Sequence, residues 1–146
     1  MARPIEILLV EDNADELELT VGALEESGFD NPLHVARDGA EALEFLFAEG
    51  RYEGRAGQPN VRLVLLDLKL PLIDGIEVLG RLKADERTRA VPVVVLTSSR
   101  EESDLVATYD LGANSYIVKP VDVEQFVAAI SRIGMYWMIL NERVPR

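Results

Sequence analysis

Short apolar runs alternate with helix-length amphipathic stretches along the whole chain. Residues 5–10, 33–36, 61–66, 91–96 and 115–118 are dense in Val, Ile and Leu, the pattern of strands buried on both faces of a parallel sheet. Between the first two runs, Leu17, Thr20, Val21 and Leu24 fall at helical spacing. Asn13 is placed to cap that helix, Asp15 and Glu16 suit its positive end, and Ser27-Gly28 stops it. Asp38-Gly39 turns the chain into a second helix with Ala42, Leu43, Leu46 and Phe47 as its inner face. Residues 50–60 mix Gly, Pro, Arg and Glu without a period and read as a long loop. Its simplest reading is a solvated variable insertion, with contact to a partner as the alternative.

The third run leads into Asp67. Residues 71–75 then form a turn, and Ile76, Leu79 and Leu82 line a third helix. Pro92 opens the fourth strand, where its missing N–H does least harm. A weaker fourth helix over residues 101–111 carries Leu105, Val106 and Tyr109, and Gly112 stops it. Asp122 caps the last helix, with a core stripe of Val123, Phe126, Val127, Ile130 and Trp137. The order predicts an α/β protein, a (βα)5 doubly wound parallel sheet in a three-layer sandwich. Residues 1–146 read as one domain with an extended C-terminal helix and no output domain.

Composition narrows the chemistry. Hydrophobic residues make up 48% of the 146, enough for a core without staples. With no cysteine, disulfides and thiolate-bound zinc are excluded. A net charge of −11 repels phosphate backbones and argues against nucleic-acid binding. No apolar stretch is long enough for a bilayer, and a soluble cytosolic protein is expected.

The polar residues that follow the apolar runs matter most. In a parallel sheet the C-terminal strand ends share one crevice. Glu11-Asp12, Asp67, Thr97-Ser98 and Lys119-Pro120 all follow strands, so their side chains are expected to converge. Crowded carboxylates stay ionised beside a divalent cation, and an all-oxygen donor set favours Mg2+ or Mn2+. Lys119 and Thr97 can hold phosphoryl oxygens while one carboxylate attacks phosphorus. A lone Asp at a strand end is usually a cap or turn residue; the joint placement carries the argument. His34, in the second strand, reads as structural.

These pieces resemble the receiver domain of two-component response regulators. The matching residues are Glu11-Asp12, Asp67-Leu-Lys-Leu-Pro71 with Asp74-Gly75, Thr97-Ser98, Gly112-Ala113 and Lys119-Pro120. The resemblance implies a flavodoxin-like receiver fold with strand order 2-1-3-4-5 and phosphorylation at Asp67. It implies Mg2+ held by Asp12, Asp67 and the backbone carbonyl of Lys69, with Glu11 acting through water. Thr97 and Lys119 would contact the phosphoryl group, and the Lys119-Pro120 bond would be cis. Thr97 and Tyr116 would form a switch that alters the fourth helix, fifth strand and fifth helix; otherwise Tyr116 is a strand residue with one apolar face and a wet hydroxyl. The Lys69 side chain either screens the acyl phosphate or is simply exposed.

Residues 133–140 carry no charge. Met135, Tyr136, Met138 and Ile139 add apolar surface outside the core stripe, which suggests a two-fold homodimer or a tail that folds back. Gly112-Ala-Asn-Ser-Tyr-Ile, the Lys119-Pro-Val-Asp run and Tyr136-Trp137 are similar to the single-domain receivers that partner bacterial phytochromes. On that resemblance the phosphoryl donor is a sensor histidine kinase, a bacteriophytochrome, and the chain is a signalling protein rather than an enzyme.

Other classes fit less well. A Mg2+-dependent phosphatase with an Asp nucleophile wants a second Asp two residues on, and Lys69 stands there. A flavodoxin-like cofactor binder wants a phosphate-cradling loop after the first strand, where Glu11-Asp12-Asn13 has the opposite charge. A receiver that signals by binding alone has no need of the full acceptor set.

Overall fold

The computed structural model describes residues 6–29, 31–55, 61–98 and 108–134. Five strands, β1 (Glu6–Val10), β2 (Leu33–Ala36), β3 (Val61–Asp67), β4 (Val93–Thr97) and β5 (Ser115–Val118), form one sheet. All pair in parallel, in the order β2-β1-β3-β4-β5. Four α-helices are described: α1 (Ala14–Glu26), α2 (Gly39–Phe47), α3 (Gly75–Ala84) and α4 (Val123–Arg132). Thus the expected doubly wound sheet and its strand order are present.

Alternation along the strands builds the two outer layers. Ile7, Leu9, Leu63, Leu65, Val94, Leu96 and Ile117 pack with Leu24 of α1 and Phe126 and Ile130 of α4. The intervening residues Leu8, Val10, Val64, Leu66, Val93 and Val95 pack with Leu43 and Phe45 of α2 and Val78, Leu79 and Leu82 of α3. Burying apolar area at roughly 25 cal/mol per Å2 makes both faces of the sheet the main stabilising surface.

Each helix starts where a side-chain oxygen satisfies an otherwise unpaired N–H. Asn13 accepts from the N–H of Glu16, Asp38 from Glu41, Asp74 from Glu77 and Asp122 from Gln125. Gly112 has φ +103° where the chain turns toward β5, a conformation that favours glycine.

Three expectations change. Of the expected loop over 50–60, residues 56–60 lie outside the described residues, and Gly50–Arg55 are not irregular but form 3-10 structure kinked at Tyr52. Tyr52 anchors it, its hydroxyl donating to Glu41 at 2.5 Å and lying 3.1 Å from His34 Nε2. A lone aromatic among polar residues has no period, so sequence alone did not show this anchor. Phe45, not Phe47, is the buried aromatic of α2, because it stacks on His34 with ring centroids 3.8 Å apart. In α4, Ala129 joins Phe126 and Ile130 in the core, whereas Val123 and Val127 are half-buried. His34 is structural, as expected.

Only residues 108–111 of the expected fourth helix lie among the described residues; 108–110 are helical and Leu111 is already in a turn. Trp137 and the apolar residues Met135, Tyr136, Met138 and Ile139 lie outside them. Among the described residues, no helix is long and apolar enough to cross a membrane.

Candidate functional site

The strand order reverses at β1, which pairs with β2 on one side and β3 on the other. Val10 of β1 faces Leu66 of β3 in register. The next residues, Glu11 and Asp67, therefore emerge side by side at the C-terminal edge, where open α/β sheets bind ligands. Register extends the row. Asp67 pairs with Leu96, the residue before Thr97, and Thr97 pairs with Val118, the residue before Lys119. The N–H of Lys119 donates to the Thr97 carbonyl at 2.8 Å, and the Lys119-Pro120 peptide bond is cis.

The side chains of Glu11, Asp12, Asp67 and Lys119 come together at this edge. Carboxylate oxygens of Glu11, Asp12 and Asp67 lie within 4.8 Å of one another. Lys119 Nζ is 2.7 Å from Glu11 Oε1 and 3.1 Å from Asp67 Oδ2. Glu11, Asp67 and Thr97 are buried, and Asp12 is exposed. The Asp67 loop is fixed from beneath: the N–H of Gly75 donates to the Leu68 carbonyl at 2.8 Å, and the N–H of Lys69 donates to Asp67 Oδ1 at 3.3 Å. The Lys69 side chain is exposed.

Charge is unbalanced here. Burial pushes the Glu11 carboxyl upward; Lys119 pulls it back, and the neighbouring Asp67 raises it further. Burial opposes the charge on Lys119, but contacts with Glu11 and Glu16 and the nearby Asp67 outweigh it and hold the ammonium above the usual lysine range. Among the described residues, the Lys119 ammonium faces more carboxylates than it can neutralise. That excess, in an all-oxygen cluster open at Asp12, suits a hard divalent cation.

Tyr116 is half-buried on β5, its ring edge-to-face with Tyr109 at 5.8 Å. Sequence reasoning missed one member of the constellation. Glu16, read there only as a helix-terminus charge, reaches Lys119 Nζ at 2.5 Å. Its position four residues after Asp12, in the first turn of a capped helix beside the strand edge, was the available signal.

Comparison with known proteins follows the same lines. The family model for the response regulator receiver domain matches residues 7–131. The probable methanogenesis regulatory protein FilR2 of Methanothrix harundinacea is 43% identical over 94% of this chain and 86% of its own length. A solved bacteriophytochrome response regulator, RtBRR, is 50% identical with a TM-score of 0.87, covering 98% of this chain and 86% of that one. The Mn2+-bound form of response regulator Rcp1 is 38% identical with a TM-score of 0.76, covering 97% and 98%.

Proposed function

The chain belongs to the response regulator receiver domain family, and we propose that it takes a phosphoryl group from a histidine kinase onto Asp67. The observation that carries this reading is the Lys119 ammonium 3.1 Å from Asp67 Oδ2, beside the Glu11–Asp12–Asp67 cluster. Asp67 is the nucleophile: its carboxylate oxygen forms the new P–O bond as the P–N bond of phosphohistidine breaks. The electron pair of that bond stays on the imidazole, which takes up a proton. Lys119 and the Thr97 hydroxyl hold phosphoryl oxygens and offset their developing charge.

Asp12, Asp67 and the Lys69 backbone carbonyl would hold Mg2+, with Glu11 acting through water; the donor chemistry also admits Mn2+. The bound cation supplies charge neutralisation between acceptor and incoming phosphoryl group. Phosphorylation and hydrolysis of the acyl phosphate are self-catalysed events in a signalling protein, not turnover of external substrate.

The donor we favour is a bacteriophytochrome kinase in the cytoplasm, on the strength of 50% identity to RtBRR. Phosphoryl transfer from purified histidine kinases tests both parts. Label is expected on the wild-type chain and absent from Asp67→Asn, with the fastest initial rate from a red-light-regulated kinase. Equal rates from unrelated kinases contradict the partner assignment; label retained by Asp67→Asn contradicts the acceptor assignment.

Output follows from a Thr97–Tyr116 switch that alters the surface around β5 and the last helix and changes self-association. The uncharged sequence 133–140 supports a homodimer there, with Met135, Tyr136, Met138 and Ile139 as the contact residues. Sedimentation that shows only monomer at micromolar concentration, with and without phosphorylation, contradicts it.

A further inference from the structure

The Lys119 ammonium lies within ion-pair distance of three carboxylates and donates a hydrogen bond to Glu16. Nζ lies 2.7 Å from Glu11, 2.5 Å from Glu16 and 3.1 Å from Asp67. The Lys119 side chain is only 7% exposed, so water has little access to take the place of a carboxylate. A phosphoryl oxygen arriving at Asp67 can reach this ammonium only if one present contact yields.

The three contacts are not equivalent. Glu11 is fully buried, and moving its carboxylate away would leave charge without solvent. Asp67 is itself the group that the phosphoryl joins. Glu16 is 39% exposed and, unlike the other two, lies outside the Glu11–Asp12–Asp67 oxygen cluster. Its released carboxylate can be hydrated at small cost. Room for the motion adjoins it: a cavity of about 170 Å3 is lined by Glu16, Leu19, Thr20, Ser98, Lys119 and Pro120, among others.

Its backbone meanwhile stays in place. The N–H of Glu16 is held by the Asn13 cap at 2.9 Å, so the helix start does not depend on the Glu16 side chain. The carboxylate can therefore leave Lys119 without unwinding α1.

We propose that Glu16 is an internal competitor for Lys119: it occupies the ammonium in the unphosphorylated protein and is displaced by the phosphoryl group. Glu16 is thus a positioning residue, and it sets how readily the acceptor site takes a phosphoryl-like anion. This rests on Asp67 as the acceptor, with Lys119 as its phosphoryl contact.

The test uses beryllofluoride, a phosphoryl mimic, in saturating Mg2+, with bound fluoride followed by 19F NMR. Glu16→Gln is expected to lower the half-saturating concentration by about three- to fivefold, the scale of one half-exposed ion pair. Its Mg2+ half-saturation is expected to match wild type, because Glu16 lies outside the oxygen cluster. Glu18→Gln removes the same charge from the same helix and is expected to leave both values unchanged. Beryllofluoride binding by Glu16→Gln that equals or is weaker than wild type overturns the competitor role. So does an equal gain in Glu18→Gln, or a weakened Mg2+ response in Glu16→Gln. Failure of the wild-type protein to bind beryllofluoride would instead strike at the acceptor reading itself.

Discussion

Gly75 stands directly against Asp67: a β-carbon at position 75 would come within 2.2 Å of the Asp67 carbonyl oxygen and 2.6 Å of Leu68 Cα. Both neighbours are backbone, so neither can swing aside. The start of α3 and the acceptor loop are thereby locked at one separation.

Gly75→Ala should push the two segments apart, at a cost of about 1–3 kcal/mol, the range for overpacking a close-fitted site. Urea unfolding should show a lower midpoint, and phosphorylation by a small-molecule donor should slow. A midpoint equal to wild type would show that the contact relaxes freely.

Leu72 has φ +68° and is 80% exposed. A left-handed leucine costs about 1–2 kcal/mol in backbone strain, whereas asparagine tolerates that conformation. Leu72→Asn should raise stability by about 1 kcal/mol, since little packing is lost. An unchanged or lower urea midpoint contradicts this.

The Tyr52 hydroxyl joins Glu41 and His34. Tyr52→Phe should cost about 1–2 kcal/mol through the unmet polar groups left behind, without altering phosphorylation. Burial, then the Glu41 hydrogen bond, push the Tyr52 phenol up to about 12. The folded state therefore holds a proton that the unfolded tyrosine releases near pH 10, so this contribution is complete below pH 10 and is lost as pH rises toward 12. The stability gap between wild type and Tyr52→Phe should narrow across that window; a constant gap contradicts the linkage.

Lys69 offers its backbone N–H to Asp67 while its side chain is exposed. Lys69→Ala should change the lifetime of the acyl phosphate and leave Mg2+ affinity nearly unaltered, because its expected metal contact is a backbone carbonyl. An unchanged dephosphorylation rate dismisses the side-chain role.

The sheet was legible because strands buried on both faces are written as unbroken Val/Ile/Leu runs. Glu11, Asp67, Thr97 and Lys119 were legible because a parallel sheet sends all its C-terminal ends to one edge. Tyr52 and Glu16 were not. Tyr52 docks through a hydroxyl onto partners on other elements, and no periodicity marks such a contact. Glu16 satisfies every local rule for a helix terminus, so its reach to Lys119, 103 positions along the chain, has no local signature.

The most direct test of the account is intact-mass analysis after incubation with acetyl phosphate. With Mg2+, the wild-type chain should gain a single phosphoryl group, lost when EDTA is present and absent from Asp67→Asn. A gain that survives in Asp67→Asn, or one indifferent to divalent cation, would contradict a metal-assisted acceptor at Asp67.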